Sequence, residues 1–207
     1  MIIPAILQKD LEEIKKEIKM VEDVAKVIHI DIADGKLVDG LTYLDVEKIS
    51  HIDSPAKLEL HLMTIDPINY LPKDQKNITK IVAQVEGSNI QDLIDKAHSL
   101  DLNIGLSLSP QTPISALDKF LNQVAYVQFM TIEPGKQGQP FIPETLNKIH
   151  EFKQKYPAIE TQVDGHMNKQ HIVELEKLGI DHYVVGSVIF KSACPTCEEI
   201  ELEKLID

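Results

Sequence analysis

The stretch IHIDIADG, residues 28–35, has the two-residue period of a buried β-strand, yet it puts His29 and Asp31 where that period calls for two inward-facing side chains. Two residues apart on a strand, they lie on one face, separated by about 6.6 to 6.8 Å along its axis, and can reach a common point. A histidine and a carboxylate inside a core need a partner or a task.

Outward from this strand, short β-rich runs alternate with longer helical ones. IIPAIL, KVIHIDIA, KLELHLM, KIVAQVE, NIGLSLS, AYVQFMTI, IETQVDG and DHYVVGSVIF are strand candidates. Between and after them stand helical candidates such as DLEEIKKEIKMVEDVA, NIQDLIDKAHSL, PISALDKFLNQ, PETLNKIHEFKQKY, NKQHIVELEKLG and TCEEIELEKLI. Strand–helix alternation predicts a parallel sheet. Eight such units in 207 residues, with no Gly-rich dinucleotide turn after the first strand and no Pro/Gly-rich linker, predict an α/β fold with a single (β/α)8 TIM barrel over residues 1–207.

Polar strand ends then fall where this fold does its chemistry, at the C-terminal face. His29 and Asp31 end the second strand, His61 the third, Gln84 and Glu86 the fourth and Asp164 the seventh. Two imidazoles and two carboxylates, His29, Asp31, His61 and Asp164, form a mixed N/O set suited to one divalent ion of Zn, Fe, Mn or Co. Bonds near 2.0–2.2 Å require their ligating atoms to lie about 3 to 4 Å apart.

Composition narrows the partners. The chain carries 21 Lys plus Arg against 33 Asp plus Glu, a formal charge of −12, with no basic stripe, so nucleic acid and anionic membrane are excluded as partners. An anionic small molecule therefore needs local positive charge from a metal, a helix N-terminus or a lysine. No apolar run approaches the roughly 18 residues of a membrane span, and the N-terminal segment lacks a basic n-region and cleavage site, so the chain reads as cytosolic. Its two cysteines, Cys194 and Cys197 in CPTC, suit a redox pair, half a zinc site or incidental thiols. The incidental reading is favoured, because no second Cys/His pair follows to complete four zinc ligands.

MTIEPGKQGQPFIP, residues 130–143, is a long Gly/Pro-bearing loop after the sixth strand and reads as a lid. Gly165, Gly186 and Ser187 follow the seventh and eighth strands, where backbone amides beside a short helix can cradle a phosphate.

The motifs IHIDIADG, LELHLM, SLSPQTPISAL, VQFMTIEPGKQGQPFIPETLNKI, VDGHMN and VVGSVIF, in order and with matching spacing from about residue 3 to residue 190, together resemble the ribulose-phosphate 3-epimerase family, which includes allulose-6-phosphate 3-epimerases. The resemblance implies a phosphate-binding barrel of the ribulose-phosphate-binding type. It implies a divalent metal on His29, Asp31, His61 and Asp164, with Asp31 and Asp164 also acting as acid and base on opposite faces of the sugar. It further implies Met63 and Met130 as caps over an enediolate, and a phosphate pocket formed by Gly165, His166, Gly186 and Ser187 under a lid carrying Lys136 and Gly138. A sugar-phosphate substrate and self-association into a homo-oligomer follow as expectations.

Departures accompany the likeness. The family's first-strand serine is Ala5 here, the methionine after the second-strand aspartate is Ala33, and the fourth-strand histidine is Gln84. The lid pattern NPGFGGQ reads EPGKQGQ, with Glu133, Lys136 and Gln137 altered, and the second glycine after Asp164 is His166. The metal positions match while the substrate-handling positions do not. Two further readings therefore stand beside the epimerase: the same barrel and metal acting on a different or unphosphorylated sugar, and a non-catalytic metal- or ligand-binding barrel. Carboxylates placed on two faces of a ligand argue against the last, since binding alone has no use for two acids.

Overall fold

The computed structural model describes residues 1–136 and 138–206; Gln137, one of the altered lid positions, lies outside the described residues. Eight strands, β1 (Ile2–Ile6), β2 (Val27–Ala33), β3 (Lys57–Met63), β4 (Ile78–Gln84), β5 (Asn103–Leu108), β6 (Tyr126–Met130), β7 (Glu160–Asp164) and β8 (His182–Val185), pair in sequence order and close β8 onto β1. All eight pairings are parallel. Around them run α1 (Leu11–Val21), α2 (Val46–Ser50), α3 (Ile90–Ser99), α4 (Thr145–Lys155), α5 (Lys169–Glu176), α6 (Ser187–Phe190) and α7 (Pro195–Glu203). Among the described residues, no helix is long and apolar enough to cross a membrane.

The two-residue period sorts every strand into two faces. Ile28, Ile30 and Ile32 of β2, Leu58, Leu60 and Leu62 of β3, and Ile104, Leu106 and Leu108 of β5 point outward and join one core with the helices. α1 shows the helical half of the bargain. Asp10 caps it by accepting from the Glu12 and Glu13 amides, and Ile14, Ile18 and Val21 recur at helical spacing on the face turned to the sheet. The inward face is different in kind. His29, Glu59, His61, Gln84, Ser107, Gln128 and Gln162 are all polar and all buried, where barrels of this type usually pack branched aliphatics. A small apolar cluster stands near β1 and β8, formed by Ile3, Ala5 and Val184.

Two connections hold short 3₁₀ turns, and the one after β5 departs from expectation. PISALDKFLNQ shrinks to a 3₁₀ turn at Ile114–Leu117, and a second 3₁₀ turn, Pro67–Tyr70, occupies the β3–β4 connection. Proline opens each turn, Pro67 as its first residue and Pro113 just ahead of it. The eighth run also divides: the strand stops at Val185, Gly186 breaks it, and α6 begins at Ser187.

The cysteines correct the reading as incidental thiols. Cys194 and Cys197 are joined in a disulfide, with Cα atoms 5.2 Å apart. Cys194 is the N-cap of α7 and Pro195 its first residue, so the first helical turn carries residue i+3 back over the cap.

Gly105 is required by a close approach. A Cβ there would fall 2.6 Å from the Tyr126 ring on the paired strand. Tyr126 is fully buried and its hydroxyl is hydrogen-bonded, so it cannot swing aside freely. Gly105→Ala is expected to destabilise the fold by ~1 to 3 kcal/mol, the usual cost of overpacking, as read by urea denaturation. An unchanged midpoint would show that the ring is not fixed there.

Candidate active site

The parallel register sets Asp31 of β2 directly beside His61 of β3, and Asp164 ends β7 across the mouth. Barrel closure brings the side chains together. His61 Nδ1 lies 3.0 Å from an Asp31 oxygen and 3.5 Å from an Asp164 oxygen. His29 Nε2 lies 3.3 Å from Asp31 and 4.0 Å from Asp164. One ligating atom from each of the four residues falls within 4.8 Å of all the others. The imidazoles are wholly buried, with ring centroids 5.1 Å apart. Two nitrogens and two carboxylate oxygens, converging from three buried residues and the partly buried Asp164, fit a divalent cation of the mixed N/O type.

The electrostatics are those of a site that wants positive charge. Burial alone would lower the His29 pKa, but hydrogen bonds and charge from Asp31 and Glu59 outweigh it and raise it to about 10. His61 moves up for the same kind of reason, with Asp164 and Asp31 opposing its burial. Burial pushes the other way on Asp31, yet its two histidine partners hold its carboxyl well below the usual range. A proton on the imidazoles and a metal ion meet the same demand and exclude one another.

A second layer of polar side chains sits behind these residues. Glu59 is completely buried and accepts from His29 Nδ1 at 2.6 Å, the Tyr126 hydroxyl at 2.7 Å and Gln162 Nε2 at 2.7 Å. The Lys80 ammonium completes its surroundings at 3.4 Å and lies over the Tyr126 ring. Burial, and then the Glu59 charge, keep the Tyr126 phenol well above its ordinary pKa, so it remains a donor. On the other imidazole, His61 Nε2 lies 3.2 Å from the side-chain amides of both Gln84 and Gln128. The fourth-strand departure from the family pattern, Gln84, is thus in contact with a candidate ligand. Glu86 stands beyond the strand end and takes hydrogen bonds from the Ser109 amide and the Thr112 hydroxyl, bracing the β5 loop.

Sequence reasoning missed Glu59, Lys80, Tyr126, Gln128 and Gln162. A signal was present for most of them. Glu59 is two residues before His61, Gln162 two before Asp164 and Gln128 two before Met130, so each shares an inward face with a residue already singled out.

Asp31 and Asp164 open into a cavity of about 120 Å³ that Met63 and Met130 also line. Gly165, His166, Gly186 and Ser187 border the same cavity, with Lys136 and Gly138 on the lid side. All the anticipated substrate positions therefore surround one space. A neighbouring cavity of about 460 Å³ is lined by Gln84, Glu86, Ser109, Glu133 and Lys136. Lys136 is common to both and pairs with Asp39 at 3.2 Å, so the lid is tied to the β2 loop. The tie is reinforced at the backbone: a Cβ on Gly40 would fall 1.8 Å from the Gly135 carbonyl oxygen. His166 adopts φ 53° and lies with Nδ1 2.8 Å from the Gln139 carbonyl, against the lid. Gly165, at φ 119°, passes so close to Ile132 that a Cβ would sit 2.6 Å away.

Comparison with known proteins adds to the geometry. Residues 1–190 match the model of the Ribulose-phosphate 3 epimerase family. The ribulose-phosphate 3-epimerase of Schizosaccharomyces pombe is 27% identical over 201 residues, covering 94% of this chain and 88% of the relative. The cytoplasmic isoform of the same enzyme from Oryza sativa subsp. japonica is 33% identical over 202 residues, covering 94% and 89%. Among solved structures, 3-keto-L-gulonate-6-phosphate decarboxylase from Vibrio cholerae superposes with a TM-score of 0.75 at 15% identity, covering 100% of this chain and 97% of that one. That likeness speaks for the barrel fold alone.

Proposed function

The chain belongs to the ribulose-phosphate 3-epimerase family, and from that premise we propose that it is an isomerase inverting C3 of a ketose phosphate, D-ribulose 5-phosphate to D-xylulose 5-phosphate or a close relative. One observation carries the reading: two carboxylates from different strands, Asp31 and Asp164, face one small cavity beside two buried imidazoles. The proton on C3 is adjacent to the C2 carbonyl, so its removal leaves an enediolate whose negative charge must be offset. A divalent cation held by His29, Asp31, His61 and Asp164 would supply that offsetting charge. Asp31 takes the proton from one face of the sugar and Asp164 delivers one to the other, so inversion needs no movement of either acid. Met63 and Met130, both buried, present thioethers rather than water to the reacting carbons.

The phosphate end is assigned to the backbone after β7 and β8, at Gly165, His166, Gly186 and Ser187, with Lys136 leaving Asp39 to close on the anion. With a formal charge of −12 on the chain, a local ammonium matters more there than in a neutral protein. Lys136→Met is expected to raise KM for the sugar phosphate about 5- to 150-fold, corresponding to ~1 to 3 kcal/mol for a charge-assisted hydrogen bond, with metal content unchanged.

The test is direct. Protein loaded with a divalent ion and given D-ribulose 5-phosphate should form D-xylulose 5-phosphate, followed by ¹³C NMR. A metal-loaded protein that leaves the pentose phosphate untouched would overturn the substrate assignment. A second reading, the same chemistry on an unphosphorylated ketose, draws on His166 at a position where the family has glycine and on Lys136 already paired with Asp39. It gains if Lys136→Met changes nothing while His166→Gly raises kcat/KM on the sugar phosphate.

A further inference from the structure

We infer that Glu59 is a positioning residue for the metal site, acting through His29. The inference rests on the proposed metal reading and concerns how this chain prepares one of its ligands. His29 Nδ1 lies 2.6 Å from a Glu59 oxygen, with both side chains wholly buried. An ionised carboxylate can only accept, so Nδ1 must carry the hydrogen, and the lone pair of the neutral ring is left on Nε2. Nε2 is the nitrogen that faces Asp31 and Asp164, at 3.3 and 4.0 Å. The imidazole is thereby set in the tautomer and orientation that a metal ion needs.

His61 provides the internal contrast. The partners of its outer nitrogen are the neutral side-chain amides of Gln84 and Gln128. Of the two imidazoles, His29 is the one with a carboxylate behind its outer nitrogen.

Glu59 itself is held from four sides, all by donors. Tyr126 reaches it across the barrel from β6, Gln162 from β7 and Lys80 from the adjoining strand, while His29 comes from β2. A lone carboxylate this deep would neutralise itself by taking a proton. Three hydrogen bonds and an ammonium remove that pressure. Lys80 is 13% exposed at its side chain and also lies 3.9 Å from Glu160. The charge that balances Glu59 is therefore delivered from the strand β4 side without entering the cavity.

The experiment is a competitive titration of Co²⁺ into the metal-free full-length protein, with no substrate present. Glu59→Gln keeps the shape but replaces one acceptor oxygen with an NH₂ group amid donors. Its dissociation constant for Co²⁺ is expected to rise 10- to 100-fold, the range for losing a group that orients a metal-bound histidine. Long-range ¹H–¹⁵N spectra of the metal-free protein, at a pH where the imidazole is neutral, should show His29 as a pure Nδ1–H tautomer in the wild type and a mixture in Glu59→Gln. Tyr126→Phe, which removes one support of Glu59 and does not touch His29, should weaken Co²⁺ in the same direction by a smaller factor. It also serves where Glu59→Gln fails to fold. Co²⁺ binding within twofold of wild type in the folded variants, with the tautomer unchanged, would overturn the inference while leaving the metal site intact. A wild-type protein that takes up no Co²⁺ would overturn the metal reading and this inference with it.

Discussion

Asp164→Asn is expected to lower turnover by roughly 10²- to 10⁴-fold, the range for removing one general acid–base group. The substitution preserves size and one oxygen, so the side chain can still occupy its place 3.5 Å from His61, but the amide neither gives nor takes the proton. Because Asp164 is also a candidate ligand, metal content has to be measured on the same sample to separate lost proton transfer from lost metal. The informative readout is isotopic. With Asp31 intact, solvent deuterium should still enter C3 of the epimer whose proton faces Asp31, while net inversion is nearly abolished. Full activity in the folded, metal-replete variant would refute proton transfer by two acids.

The second large effect concerns the ion. Removing divalent metal with a chelator is expected to cut turnover by at least ~10²-fold, since charge stabilisation of this kind is worth several kcal/mol. Restoration by Zn²⁺, Fe²⁺, Mn²⁺ or Co²⁺ in turn would identify the functional metal, and a chelated protein retaining full activity would end the metal mechanism.

The pH dependence follows with a definite sign. In the metal-free protein the His29 pKa is raised to about 10, so near neutrality the ring carries a proton that an incoming ion must displace. Apparent affinity should therefore rise with pH up to about 10, and metal uptake near neutrality should release protons into an unbuffered solution. A pH-independent affinity would contradict the assignment of His29 as a ligand. The same raised value means that this group's stabilisation of the metal-free fold is complete below its unfolded pKa and is lost as pH climbs toward about 10. Asp31 and Glu59, drawn downward by their partners, act oppositely, and their contribution is lost on acidification.

The architecture was legible because each of its parts is local. The runs around residues 2, 27, 57, 78, 103, 126, 160 and 182 carry the strand period, and a parallel sheet assembled from short connections closes readily at eight strands. Legibility faltered where the segment after Pro113 formed a single turn in place of a fuller helix. It faltered again at Cys194 and Cys197, whose pairing depends on the first turn of α7.

The site divides along the same line. That His29 shares a face with Asp31, and His61 with Glu59 and Met63, follows from strand geometry and was determined by the sequence by itself. Alternation says which way a side chain points but not what stands opposite. Glu59 meets Tyr126 and Gln162 across sequence separations of 67 and 103 residues, and no local pattern contains those distances. Only the closed barrel, whose register sets Asp31 beside His61 and whose curvature brings β6 and β7 across to β3, decided that a buried carboxylate would have three donors around it and a histidine to hold.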